Sequence, residues 1–139
     1  MDRAFLHSFI AGCKYGVVPS VAADGAPQSA LVGIAVTPAL EIIFDTVNSS
    51  RKYRNLVSRP NCSLVVGWAG ELTVQYEGLA ELPSGAELRR FQEVYFAAWP
   101  DGVERMSWAG IAYFVVRPSW IRYSDFNQRP ALVEEMRFS

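Results

Sequence analysis

The chain has 139 residues, of which 50% are apolar, 13% aromatic and only 19% charged, with a formal net charge of -1. That length suits one domain over residues 1–139. The apolar share excludes disorder as the main state, and the near-neutral charge excludes a general affinity for nucleic-acid backbones. The cations are lopsided in kind: Lys14 and Lys52 are the only lysines, and the rest are arginine, the residue suited to forked recognition of carboxylate or phosphate. Cys13 and Cys62 form no C-x-x-C pair and are expected as buried thiols in a reducing, cytoplasmic setting. His7, the one histidine, is a poor basis for a triad, and no metal site is expected. The apolar stretch behind Met1 is broken by His7 and Ser8, which does not read as a signal peptide. No run approaches the roughly 18 apolar residues of a membrane helix, so no membrane partner is expected.

In chain order, Phe5, Leu6, Phe9 and Ile10 recur at helical spacing and predict a helix over 2–13. A valine-rich strand over 15–23 ends at Asp24-Gly25, a strong hairpin signal, and a second strand follows over 27–36. Pro38 breaks it, and a third strand runs over 41–46. Asn48-Ser49-Ser50 signals a helix start, and the helix over 51–57 stops before Pro60. An almost continuously apolar strand over 61–68 turns at Ala69-Gly70 into a partly alternating strand over 71–82. Ser84 and Glu87 match a capping box for a helix to Ala98, ended by Pro100-Asp101-Gly102. Two more strands are expected near 110–117 and 119–126, broken at Pro118, and the tail after Pro130 is expected to hold a short helix. The tight early turns make the strands antiparallel. With about seven strands, no βαβ alternation and no G-x-G-x-x-G, the pattern predicts a mainly β (α+β) chain: an antiparallel barrel with a few short helices.

Segment 44–52 carries the chemistry. A strand ends at Phe44, Asp45 and Thr46, hydroxyls follow, and a helix opens with Arg51 and Lys52 in its first turn. Cations there oppose the helix dipole, which favours anions. A phosphate at the helix start, held by free N–H groups, Thr46, Ser50, Arg51 and Lys52, would resolve the conflict. A solvated first turn that merely tolerates the two cations is the other reading. Gly33 in mid-strand suits something flat lying close to the backbone, or else a packing bulge. Gln75 alternates with Val74 and Tyr76, so it faces away from them.

With these pieces the sequence resembles the pyridoxamine 5′-phosphate oxidase-like family of FMN-binding split barrels. The match runs from about residue 10 to 127. Its pieces are Asp24-Gly25-Ala26-Pro27-Gln28-Ser29, Phe44 with Thr46, Ser50-Arg51-Lys52 with Asn55-Leu56, and Asn61-Cys62-Ser63-Leu64-Val65-Val66. Val74-Gln75 with Glu77-Gly78, and Val116-Arg117-Pro118-Ser119-Trp120-Ile121-Arg122-Tyr123, complete it. The resemblance implies a six- to seven-stranded antiparallel split β-barrel that forms a homodimer, with FMN in clefts between the subunits. It implies that Arg51 and Lys52 bind the FMN phosphate, with Asp45, Thr46 and Ser50 beside them. Ala30, Leu31, Val32 and Gly33 would lie along the flavin ring and ribityl chain, and Gln75 would reach the flavin edge or the ribityl group. Trp120 and Arg122 would come from the late strands, from the same subunit or its partner.

The sequence departs from pyridoxamine phosphate oxidases proper where those hold the substrate phosphate with a Tyr, an Arg and a Ser at four-residue spacing. Tyr95 is kept, but Trp99 and Val103 stand in the other two places. The family's second-strand Arg and Lys are Ala30 and Ala35, and the C-terminal arginine-rich motif is replaced by Gln128-Arg129-Pro130-Ala131-Leu132. Pyridoxamine phosphate is therefore not the expected substrate. The expected function is an FMN-dependent oxidoreductase acting on a small molecule in a pocket bounded by Tyr95 and Trp99, with no side chain assigned as general acid or base. The alternatives are a non-catalytic flavin carrier or redox sensor, a reductase using the deazaflavin coenzyme, and heme handling, which the lack of a well-placed histidine weakens.

Overall fold

A computed structural model describes all 139 residues. Asp2 caps α1 (Arg3–Cys13), its carboxylate accepting from the Phe5 N–H at 2.9 Å. The hairpin β1 (Tyr15–Val21) and β2 (Pro27–Gly33) follows, turning at Asp24-Gly25 as the sequence predicts. The predicted second strand is split in two: Ile34 interrupts it, and β3 is only Ala35–Val36. Then come β4 (Ile42–Val47), α2 (Arg51–Ser58), β5 (Asn61–Val66) and β6 (Leu72–Glu81). The chain finishes with α3 (Gly85–Ala98), the four-residue α4 (Gly102–Arg105), β7 (Ile111–Asp125) and β8 (Leu132–Arg137).

The strands form one antiparallel sheet in the order β2-β1-β5-β6-β7-β4-β3, with β8 on β7. β2 and β3 sit at opposite ends of this order yet are joined through the single residue Ile34, which is buried. The sheet must therefore curl until its ends meet, and it does so as a split half-barrel. The interior is filled by twenty buried residues, including Phe44, Leu64, Tyr76 and Phe114. A smaller cluster, with Ile43, Phe91, Tyr95 and Tyr113, lies between α3 and the outer face of β4 and β7. Ile42 and Phe44 face the barrel while Ile43 faces α3, so β4 is apolar on both sides.

Three predicted elements are corrected. The late strands are one fifteen-residue strand, because Pro118 sits at a bulge instead of a break. Between Glu77 and Gly78 the register shifts: Glu77 pairs with Trp120 and Gly78 with Pro118, leaving Ser119 as the extra residue. The tail is a strand and not a helix. Leu132 and Met136 pack against the barrel in period two, and the strand pairs with β7 from Asp125 back to Trp120. Ser84 makes no capping hydrogen bond through its side chain. No helix is long and apolar enough to cross a membrane.

Gly78 lies close against the β7 backbone. A Cβ there would lie 2.1 Å from the Arg117 carbonyl oxygen, which is backbone and cannot swing away. Gly78→Ala is expected to destabilise the fold by about 3 kcal/mol in chemical denaturation.

Candidate functional site

The site lies where α2 begins, β4 ends, α3 ends and β2 forms the sheet edge. β4 divides its last side chains by strand alternation. Thr46 turns with Phe44 towards α2, and Asp45 turns with Ile43 towards α3 and α4. Ser50 caps α2: its Oγ accepts from the Tyr53 N–H at 3.2 Å and from Thr46 Oγ1 at 2.9 Å. Lys52 Nζ reaches Thr46 Oγ1 at 3.4 Å. The helix is tied to the hairpin by the buried Asn55, whose Nδ2 donates to Ser20 Oγ at 2.9 Å and Gln28 Oε1 at 3.0 Å.

Lys52 stands between two depressions. A groove of about 100 Å³ is lined by Ser20, Gln28, Ser29, Ala30, Arg51 and Lys52. A cleft of about 290 Å³ is lined by Tyr15, Leu31, Val32, Gly33, Asp45, Lys52, Tyr95, Trp99, Asp101 and Arg105. Arg51 is exposed, and neither it nor Lys52 joins an ion pair. Partial burial lowers the Lys52 pKa below the ordinary lysine value, and the charge of Asp45 opposes that shift. Two unpaired cations, one partly desolvated, at a capped helix N-terminus are chemically able to hold an anion. β2 beside them is a sheet edge, so its outward backbone groups are free for a flat polar ligand. The phosphate and ring of a flavin mononucleotide fit this donor set.

The structure thus brings together Ala30, Leu31, Val32, Gly33, Asp45, Thr46, Ser50, Arg51 and Lys52, with Tyr95 and Trp99 on the far wall of the cleft. Gln75, Trp120 and Arg122 lie elsewhere. Gln75 is exposed on β6 opposite Arg122 on β7, and Trp120 and Arg122 both donate to Glu135 of β8, at 3.2 and 3.1 Å. These three line neither the groove nor the cleft.

Trp99 is a structural pin as well as a wall. Its indole N–H donates to the Ile34 carbonyl at 2.9 Å, and its ring lies against Gly33, where a Cβ would meet ring carbons at 2.8 Å. Lys14 holds the same ring by a cation–π contact at 4.5 Å and donates to the Ala98 carbonyl, while Tyr15 meets it edge-on. The flat group that Gly33 admits in this chain is its own tryptophan.

Arg105 is a site residue that sequence reasoning misses. Its Nε meets Asp45 Oδ2 at 2.7 Å, NH1 meets Asp101 Oδ2 at 3.0 Å, and NH2 donates to the Tyr95 hydroxyl at 3.1 Å. The Asp101–Arg105 spacing of four was a signal for it, hidden because Pro100-Asp101-Gly102 reads as a helix terminator. Burial and the charge of Asp45 push the Tyr95 phenol up, with Arg105 opposing. Tyr113, the β7 register partner of Asp45, has its hydroxyl buried with no hydrogen-bond partner, and burial raises its pKa too.

A sequence model of the pyridoxamine 5′-phosphate oxidase family matches residues 3–125. A pyridoxine/pyridoxamine 5′-phosphate oxidase of Thermosynechococcus vestitus is 33% identical over 116 residues, which is 83% of this chain and 51% of that protein. The chain thus spans about half the length of that curated relative. Among solved structures, a heme binding protein from Mycobacterium smegmatis superposes with a TM-score of 0.83 at 18% identity, over 99% of this chain and 58% of the other. A pyridoxamine 5′-phosphate oxidase-related, FMN binding protein from Nostoc punctiforme gives 0.69 at 11% identity, over 98% and 95%. At such identities these two likenesses speak to the fold.

The Trp99 pin is testable by a double-mutant cycle in chemical denaturation. Gly33→Ala is expected to cost about 1–3 kcal/mol through overpacking. In a Trp99→Ala background that penalty should largely vanish, because the contact it reports is gone.

Proposed function

The chain belongs to the pyridoxamine 5′-phosphate oxidase family, and from that premise we propose that it is an FMN-binding oxidoreductase acting on a small molecule other than pyridoxamine phosphate. One observation carries the reading: the unpaired cations Arg51 and Lys52 at the start of α2, flanked by the Thr46–Ser50 hydroxyl pair and the free edge of β2. Arg51 and Lys52 take the phosphate, Ser50 and Thr46 orient the lysine, and Ala30, Leu31 and Val32 line the flavin along the edge strand, while Gly33 is covered by Trp99. FMN, when bound, supplies reversible redox chemistry that the side chains lack. Trp99 and Leu31 shield that region from water, and Asp45 tempers the charge of Lys52.

Gln75, Trp120 and Arg122 complete the site from a second copy. Within one chain they face away from the cleft, so the proposal requires a homodimer that lays the outer face of β6 and β7 of one subunit over the groove of the other. Exposed Leu31 and Val65 are apolar surface for such a contact. Free Cys13 and Cys62 suit a reducing, cytoplasmic setting.

Pyridoxamine phosphate is disfavoured by two features. Trp99 is committed to Gly33 and Ile34, and the charge of Arg105 is spent on Asp45 and Asp101. Incubation with FMN and pyridoxamine phosphate should give no pyridoxal phosphate. Oxidation of a nicotinamide donor by the flavin-loaded protein separates an enzyme from a flavin carrier.

The expected spectrum is that of a flavin co-eluting with a dimer. By calorimetric titration, Arg51→Ala and Lys52→Ala should each weaken FMN about 10- to 100-fold, the value of a charge-assisted hydrogen bond. Unchanged affinity in the double variant would overturn the phosphate site. The pH dependence follows from Lys52. Its pKa is lowered in the free protein, and a bound phosphate raises it, so binding takes up a proton at alkaline pH. FMN affinity should therefore fall with rising pH along a limb that begins below the ordinary lysine value of about 10.4. Lys52→Met should abolish that limb.

A further inference from the structure

The cleft beside Lys52 holds one arginine, and the way it is held sets what can enter. Two of its bonds point to fixed partners. Nε meets Asp45, whose side chain is 14% exposed, and NH2 meets the hydroxyl of fully packed Tyr95. The third, from NH1, goes to Asp101, whose side chain is 62% exposed at the rim. Exposed ion pairs of this spacing are among the weakest in proteins. Asp45 is anchored in the β4 ladder, where it pairs with Tyr113, so it stays when Asp101 moves. A guanidinium has five N–H groups. Three are engaged here, which leaves one on each terminal nitrogen.

We infer that Arg105 determines the specificity of this cleft, admitting a planar, single-ring substrate that carries one carboxylate and turning away a phosphate dianion. This rests on the proposed flavin site, whose phosphate takes the adjoining groove. A carboxylate on the ligand takes the place of Asp101 on NH1, so one negative charge leaves Arg105 as another arrives. The local balance is unchanged, and Asp101 goes into water at little cost. The forked geometry of guanidinium and carboxylate favours the exchange. A phosphate dianion instead brings a second negative charge close to Asp45, which cannot leave, and like charges repel. Lys52 cannot compensate while it serves the cofactor phosphate. The rest of the cleft fits a ring: exposed Leu31 and Tyr15 offer apolar surface beside about 290 Å³ of open space.

The test uses three probes of one shape: benzoate, benzamide and phenyl phosphate. Each is titrated calorimetrically into the full-length protein with FMN added, and FMN uptake is measured on the same sample. Benzoate should bind about tenfold or more tighter than benzamide or phenyl phosphate. Asp101→Asn removes the competing carboxylate and should tighten benzoate about three- to tenfold while leaving benzamide unchanged. Arg105→Lys should erase the preference for benzoate over benzamide. Should that variant fail to fold, the rim substitution Asp101→Asn still decides the matter. Equal binding of benzoate and benzamide to the wild-type protein, tightest binding of phenyl phosphate, or no binding of any probe would each overturn the inference. Absence of FMN uptake together with the expected benzoate pattern would overturn the flavin reading and leave the Arg105 subsite standing.

Discussion

The contact of Trp99 with the β2–β3 junction holds the functional region together. The sheet closes only because β2 and β3, at opposite ends of the strand order, are joined through Ile34. That junction has little ladder to secure it, since β3 is two residues long. The indole donates to the Ile34 carbonyl and lies against Gly33, which ties the end of α3 to the seam. Lys14 and Tyr15 clasp the ring from the start of β1. The cleft is what remains open beside this pin, and Tyr15, Gly33 and Trp99 are among its walls. A substitution that loosens the seam must therefore also reshape the cleft.

Charge organises the space next to the pin. Asp45 and Thr46 are consecutive on β4 and so point to opposite sides. One sends a carboxylate to Arg105, and the other sends a hydroxyl to Ser50 and Lys52. Lys52 stands between the two systems, in contact with Thr46 and in the field of Asp45. One strand end thereby builds two neighbouring environments. In the groove the cations are unpaired, whereas in the cleft the cation is already matched. The two environments therefore present different charge to an incoming anion.

The split between the two clusters of site residues follows from topology. Nine of the twelve candidate cofactor residues sit together at the junction of β2, β4 and α2, while Gln75, Trp120 and Arg122 stand on the outer face of β6 and β7. Strand alternation alone sends Gln75 outward, since Val74 and Tyr76 are both in the barrel. That face bears an aromatic, an amide and an arginine held by a single exposed carboxylate on β8.

Much was legible along the chain. The Asp24-Gly25 hairpin, the Ser50 cap, the strand alternation and the Ser-Arg-Lys motif are local, and local sterics and hydrogen bonding enforce them. Pro118 was misread because its meaning lies in a different strand: Gly78 opposite lets the backbones approach and turns a break into a bulge. The tail was misread because Leu132 and Met136 find their partners in the barrel, far away in sequence. By itself the sequence determined the barrel class and the run of hydroxyls and cations that opens α2, since both rest on residues within a few positions of one another. Only the tertiary structure decided that Trp99 closes the seam and that Arg105 is shared by Asp45, Asp101 and Tyr95. The Trp99–Ile34 and Arg105–Asp45 contacts join residues 65 and 60 apart in the chain, and their energies exist only once the sheet has curled.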